Sequence, residues 1–227
     1  MRQRASDVLK PRKSPVQARS VASVDAILKA TIQVLLNVGK EGLTTTRVAL
    51  RAGVSVGTLY QYFPNKRALL QAALKSHLTD VAEAVELVCR EQEGRTLRQM
   101  ATALVTVFLH AKMRVAKTST ALYSVSSDVD GAKIVQEIAA RLHKAIVRML
   151  RTASNPLATD PQLVATMLQG SMSGVIRTLL ESPTPEKQFD TLREESILVA
   201  CAYLDACSAR SLVQRPGAVG LAHIPAS

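Results

Sequence analysis

Residues 42–70 read GLTTTRVALRAGVSVGTLYQYFPNKRALL. The threonines that follow Leu43 are common N-cap residues, so they predict a short helix that ends near Arg51. Gly53 then permits a sharp turn, because glycine adopts a positive φ at little cost. Ser55 is placed to cap the next helix. The stretch therefore predicts two short helices joined by a tight turn.

The second short helix, at about residues 55–63, carries its apolar side chains on one face. Leu59 and Phe63 are four residues apart, which brings them together on the inner side. Pro64 ends this helix, and a longer helix opens at Lys66. Two helices joined by a glycine-containing turn within about twenty residues form a helix-turn-helix, whose second helix enters the major groove of DNA.

The outer side of the second helix carries groups suited to DNA. Gln61 can bond adenine bidentately, and Val56 can touch a thymine methyl group. Gly57 lets the backbone approach the DNA closely, and Tyr60 and Tyr62 present hydroxyl groups to phosphates. We therefore predict both base contacts and backbone contacts from this helix.

Two neighbouring segments add predicted phosphate contacts. Thr45 and Thr46 lie where a helix start leaves free N–H groups, which bind anions. Lys66, at the start of the following helix, is placed to clamp the DNA backbone. Phosphate contacts of this kind fix the register of the protein on DNA.

Residues 42–70 closely resemble the DNA-binding domain of the TetR/AcrR repressor family, most specifically from Gly53 to Lys66. Residues 17–20 and 27–30 resemble the first helix of that family. The family carries a polar residue more often at the position of Leu50, and a commonly acidic residue is replaced by Arg67. The resemblance implies that DNA meets Thr45, Thr46, Arg47, Val56, Gly57, Thr58, Tyr60, Gln61, Tyr62 and Lys66.

The resemblance also implies an all-α architecture. We expect a helix-turn-helix DNA-binding domain followed by a helical ligand-binding and dimerisation domain. The expected segments are a flexible basic arm at 1–15, the DNA-binding domain at 16–66, the ligand-binding and dimerisation domain at 67–212, and a disordered tail at 213–227. Helical periodicity and breaks at Gly, Pro and Asn predict further helices at about 18–38, 96–118, 128–152, 161–182 and 187–210.

The charge distribution agrees with a nucleic-acid partner. Residues 1–67 contain 12 Lys or Arg against 3 Asp or Glu, whereas residues 68–227 contain 17 against 15. A localised basic region favours a polyanion, although a generic basic surface has the same composition.

The composition excludes several other classes of protein. Three cysteines without CxxC spacing argue against a disulfide framework or a zinc site. No signal peptide or catalytic motif is found, and the four histidines are dispersed. The stretch 163–180 is too polar to be a convincing membrane span. We expect a cytoplasmic protein without metal, cofactor or enzyme activity.

The C-terminal two thirds carry weaker signals. Small residues in the segment Gln169–Gly174 allow close helix packing and predict a dimer seam at Gly170, Ser171, Ser173 and Gly174, although packing inside one subunit is an equal alternative. The resemblance assigns dimerisation to the last two long helices. Polar or adaptable side chains on apolar helices are candidates to line a ligand pocket, although ordinary core or surface roles fit each of them: His110, Met113, Arg114, Tyr123, His143, Met167 and Arg177.

The leading hypothesis is a dimeric, sequence-specific transcriptional regulator, most often a repressor in this family, released from a pseudo-palindromic double-stranded DNA operator by an unknown small-molecule effector. One alternative is a helical ligand-binding protein or enzyme with a vestigial helix-turn-helix. Another is a ligand-independent activator or architectural DNA-binding protein. The intact segment from Thr45 to Lys66 favours the first hypothesis.

Overall fold

The computed structural model describes residues 15–209, and all regular secondary structure within that range is helical. The helices are α1 Pro15–Gly42, α2 Thr45–Ala52, α3 Val56–Tyr62, α4 Lys66–Glu91, α5 Leu97–Arg114, α6 Ala116–Ser124, α7 Gly131–Leu150, α8 Pro161–Glu181 and α9 Pro185–Ala209. A 3₁₀ helix at Ser126–Val129 connects α6 to α7. The all-α prediction is confirmed; the expected arm and tail lie largely outside the described residues.

Three helix boundaries differ from the sequence prediction. Gly39 has φ 68° and kinks α1, but a further helical turn follows to Gly42. The single helix predicted at 96–118 is wrong, because Val115 has φ −120° and ψ 25° and separates α5 from α6. The helix predicted at 128–152 starts only at Gly131, after the 3₁₀ helix and a left-handed residue.

The described chain forms two compact units, residues 15–81 with 114–139 and residues 82–113 with 140–209. In the first unit, one hydrophobic core joins the helix-turn-helix to a segment far along the chain. Leu59 and Ile27 belong to the same buried cluster as Leu122, Val125 and Val129. Helix α1 contacts α6. The compact unit that contains the helix-turn-helix is therefore discontinuous in sequence.

A buried polar contact also holds the first unit together. The Nε2 atom of His77 on α4 lies 2.9 Å from the Oγ atom of Ser119 on α6, and both side chains are buried. Buried polar groups require such partners, because an unpaired one costs free energy. The contact fixes α6 against α4.

In the second unit, two ion pairs join α7 to α4 and to the turn that follows α4. Arg141 Nε lies 2.5 Å from a carboxylate oxygen of Glu86, and Arg148 Nε lies 3.1 Å from one of Glu93. Glu86 lies on α4, whereas Glu93 lies in the turn after it. The Arg141 guanidinium holds the pKa of the Glu86 carboxyl below its ordinary value.

The three cysteines are free and buried. Burial raises the pKa of the Cys89 thiol to about 12. The thiolate is the reactive form of cysteine, so this side chain is chemically inert at neutral pH.

Two helices, at Ser20–Gly42 and Pro161–Glu181, are long and apolar enough to cross a bilayer. Core helices of soluble proteins meet the same criterion. In α1 the apolar residues Ile27, Ala30 and Leu35 are buried within the protein.

Candidate nucleic-acid interface

One threonine caps the start of α2, and two others lie in its first turn. Thr44 is the N-cap, and its Oγ1 atom accepts a hydrogen bond from the backbone N–H of Arg47. Thr45 is half-buried and Thr46 is exposed, both in the first turn. No acidic residue lies in that turn. The helix start therefore presents N–H groups and hydroxyls without a competing negative charge.

The turn after α2 depends on a glycine. Gly53 has φ 69° and ψ 29°, and its N–H donates to Leu50 O at 3.2 Å. The next residue, Val54, donates to Ala49 O at 3.0 Å. These two bonds close the end of α2 in a left-handed cap and redirect the chain into α3.

Helix α3 is anchored from within and open on its outer side. Ser55 Oγ accepts from the N–H of Thr58 at 2.9 Å and caps the helix. Leu59 is fully buried in the core. Because Leu59 fixes the inner face, the rotation of α3 about its axis is set.

The outer side of α3 carries four of the ten predicted contact residues. Val56, Gly57, Tyr60 and Gln61 are exposed. At Gly57, a methyl group would meet only the Ser55 Oγ atom, at 3.7 Å, so the backbone there is open to a partner. These four residues form what we call the reading face.

Two other predicted residues on α3 are less accessible. Tyr62 is half-buried and packs against the hydrophobic core. Thr58 is half-buried, and its hydroxyl lies 2.8 Å from Ser55 Oγ. These two side chains support α3 from its sides.

A contact between side chains joins α2 to α3. The Oγ1 atom of Thr45 lies 3.1 Å from the phenolic oxygen of Tyr60. Both are predicted DNA contacts, and the sequence gives no indication that they meet, fifteen residues apart. The pair fixes the two hydroxyls at one place on the surface.

Three basic side chains bond within the same unit. Arg47 Nη1 donates to Gly42 O at 2.6 Å, and Lys66 Nζ donates to Lys40 O at 2.9 Å. Both acceptors lie in the last turns of α1, where carbonyl groups lack helical partners and attract cations. Arg51 Nε donates to Gln33 Oε1 on α1 at 2.7 Å. Sequence reasoning missed this last pair, since a link between helices leaves no periodic signal.

Leu50, the departure from the family pattern, is 83% exposed on the outer face of α2. It contributes little to the core. The departure therefore changes the surface beside the reading face and leaves the packing of α2 intact.

The candidate pocket residues belong to both compact units. Arg114 and Tyr123 belong to the first unit, and Tyr123 packs in its core. In the second unit, Met167 and Arg177 are exposed on α8. Met113 is half-buried.

The two candidate histidines each have neighbours of their own. His143 lies between two glutamine oxygens of α8, 2.7 Å from Gln162 Oε1 and 2.9 Å from Gln169 Oε1. His110 is exposed, packs edge-on against Phe189, and lies 3.3 Å from Arg193 Nη1. No group of acidic, His or Cys side chains within residues 15–209 is arranged to hold a metal ion.

A shallow groove of about 450 Å³ runs along the outer side of α5. None of the seven candidate pocket residues lines it. Its walls are formed by Gln92, Arg98, Gln99, Thr102, Ala103, Thr106 and Val107.

The four candidate dimer residues, Gly170, Ser171, Ser173 and Gly174, are all exposed on α8. A methyl group built at Gly170 or Gly174 would meet no heavy atom within 4 Å. Large apolar side chains lie exposed on the same helix and on α9: Leu163, Met167, Leu198 and Val199. Helices α8 and α9 pack together, and each carries exposed apolar side chains.

Two family profiles match this chain, one in its N-terminal third and one in the remainder. Residues 27–73 match the profile of bacterial regulatory proteins of the tetR family. Residues 96–204 match the profile of the tetracyclin repressor-like C-terminal domain.

Individual relatives agree with these profiles. The class C tetracycline repressor protein of Escherichia coli is 47% identical over 55 residues, which are 24% of this chain and 25% of that protein. The match therefore covers about a quarter of the length of that tetracycline repressor protein. An HTH-type transcriptional regulator of Mycobacterium bovis is 25% identical over 76% of this chain and 91% of its own.

A solved structure shares the fold. The crystal structure of a TetR family transcription regulator from Marinobacter aquaeolei has a TM-score of 0.59 and 20% identity, covering 82% of this chain and 97% of that one.

Proposed function

Because this chain belongs to the TetR family of bacterial regulatory proteins, we propose that it is a sequence-specific DNA-binding transcriptional regulator. The observation that carries the proposal is the reading face of α3: Val56, Gly57, Tyr60 and Gln61 point outward while Leu59 is fully buried. A helix anchored in this way can enter the major groove as one rigid element.

The proposed contacts divide into two kinds. Gln61 and Val56 read base edges, since an amide pairs with adenine and an apolar side chain contacts the thymine methyl group. Thr45, Thr46 and Tyr60 hold phosphates through hydroxyls and the free N–H groups of α2. Arg47, Thr58, Tyr62 and Lys66 complete the surface at its edges.

The proposed assembly is a homodimer. The exposed apolar side chains of α8 and α9, with the exposed small residues Gly170 and Gly174, suit close packing against a second copy. A two-fold dimer presents two reading faces, so its operator is expected to be pseudo-palindromic.

The proposed regulation is release from the operator by a small molecule, as is typical of this family. The match of residues 96–204 to the tetracyclin repressor-like C-terminal domain, which includes most of the second compact unit, supports this part of the proposal. Binding of an effector that prefers one dimer conformation would shift the population away from the DNA-binding state. The boundary at residue 66 between the two functional domains remains a prediction, and the protein is proposed to act in the cytoplasm.

Selection of bound oligonucleotides from a random pool tests the function. Enrichment of a palindrome, and affinity that falls steeply with salt, are the expected results. The variant Gln61→Ala should lose discrimination at one base position, worth about 1–3 kcal/mol. Lys66→Ala should weaken all sequences alike and reduce the salt slope by about one. A pool that stays random would contradict the proposal.

A further inference from the structure

The first turn of α4 concentrates positive charge. Lys66 and Arg67 are its first two residues, and the turn contains no acidic side chain. Asn65 Oδ1 accepts from the N–H of Ala68 at 2.8 Å and caps the helix. Cations at a helix N-terminus oppose the helix dipole, so this arrangement weakens the helix. Cations kept at a helix start despite this cost indicate a functional role for the side chains. Here that role is the attraction of an anion.

The two cations have different partners within the unit. Lys66 Nζ bonds a backbone carbonyl of α1. Arg67 Nη2 lies 2.6 Å from Asp130 Oδ2, and the two side chains have exposed fractions of 62% and 61%. An exposed ion pair is weak and screened by salt, so another anion can replace the carboxylate.

The backbone presents Asp130 at a fixed place. Asp130 has φ 54° and ψ 36°, the one left-handed non-glycine residue among residues 15–209. Val129 before it is fully buried. After it, a methyl group at Gly131 would lie 2.6 Å from Ser126 Cβ, so the corner is closely packed. The carboxylate is therefore held beside α4 by the fold, 63 residues away in sequence.

We propose that Arg67 binds the DNA backbone and that its ion pair with Asp130 competes with this contact. In the free protein the guanidinium pairs with the carboxylate; on DNA it exchanges the carboxylate for a phosphate, which arginine binds in the same forked geometry. Arg67 lies five residues beyond the end of α3, next to the predicted phosphate clamp Lys66. The inference rests on the proposed DNA-binding function.

The ion pair between Arg67 and Asp130 affects the affinity for DNA of every sequence. Phosphates carry no sequence information directly, so competition from Asp130 weakens every DNA site alike. It would thereby shorten the time spent on non-specific DNA without altering base recognition.

The test compares Asp130→Asn with Glu137→Gln. Asparagine tolerates the left-handed backbone, so the first change removes the charge and keeps the corner. Glu137 is exposed on α7 in the same unit and forms no ion pair with residues 15–209, so it controls for the same change in net charge. The probe is a random-sequence duplex of roughly three helical turns.

Asp130→Asn should tighten binding about twofold to fivefold at about 0.1 M salt, the range that an exposed ion pair contributes, and the gain should shrink as added salt screens the pair. Arg67→Gln in the same background should abolish the gain. Equal affinities for Asp130→Asn and Glu137→Gln, or a gain that survives Arg67→Gln, would overturn the inference while the function stands. Absence of DNA binding by the wild-type protein would overturn both.

Discussion

The hydroxyl pair of Thr45 and Tyr60 offers a direct test of how the reading face is held. Thr45→Val and Tyr60→Phe each remove one hydroxyl and keep the shape of the side chain. A hydrogen bond contributes about 0.5–1.5 kcal/mol net, and the 3.1 Å separation is long for two hydroxyl oxygens, which favours the lower half of that range. We expect each change to weaken DNA binding about twofold to fivefold through this pair.

The two changes should not add. If Thr45 orients the phenol of Tyr60 toward a phosphate, removing either hydroxyl already loses the oriented contact. The double variant should then bind more tightly than the sum of the single effects predicts, by a coupling energy of about 0.5–1 kcal/mol. Fluorescence anisotropy with the selected duplex at one salt concentration measures all four proteins, and circular dichroism checks that they fold alike.

A second cycle provides the control. Thr46 lies in the same turn of α2, is exposed, and makes no side-chain bond to Tyr60. Thr46→Val combined with Tyr60→Phe should therefore be additive. Additivity of the Thr45 cycle within about 0.3 kcal/mol would refute the orienting role.

Three further predictions concern stability and reactivity. Gly53→Ala should cost about 1–2 kcal/mol, because φ is 69° and no neighbour crowds the new methyl group; an unchanged melting temperature would refute the strain. The pKa of Glu86 is lowered by Arg141, so the pair stabilises the fold above the unfolded pKa of about 4.5, and this is lost as pH falls through the depressed folded value. The difference in unfolding free energy between wild type and Arg141→Gln should shrink in acid, and a constant difference would count against the pair. Cys89, with its pKa raised to about 12, should react with a thiol reagent at pH 8 only after unfolding, whereas immediate labelling of Cys89 in the native protein would contradict its burial.

The sequence predicts the helix-turn-helix well because the signals there are local. A capping residue, a glycine turn and two apolar residues four apart each act within one turn of helix. Gly53, Ser55 and Leu59 accordingly have the predicted roles.

The features that the sequence misses depend on distant contacts or lack a marker. Val115 breaks a helix without glycine or proline nearby, so no composition signal indicates the separation of α5 from α6. The sequence alone indicates that Arg67 is an unpaired positive charge. In the structure it forms an ion pair with Asp130, which lies 63 residues away in sequence. The pocket candidates are single residues, and a single residue carries no periodicity from which a common site can be inferred.

The shared core of the first unit has a consequence for how such regulators exchange parts. Leu122, Val125 and Val129 complete the hydrophobic cluster beneath the helix-turn-helix, yet the gene encodes them after all of α5. A recombination event or engineered fusion that transferred only residues 1–81 would leave that cluster open and its apolar side chains in water. An exchange of parts that keeps residues 114–139 together with α1 to α4 is therefore safer than one that replaces everything downstream of α4.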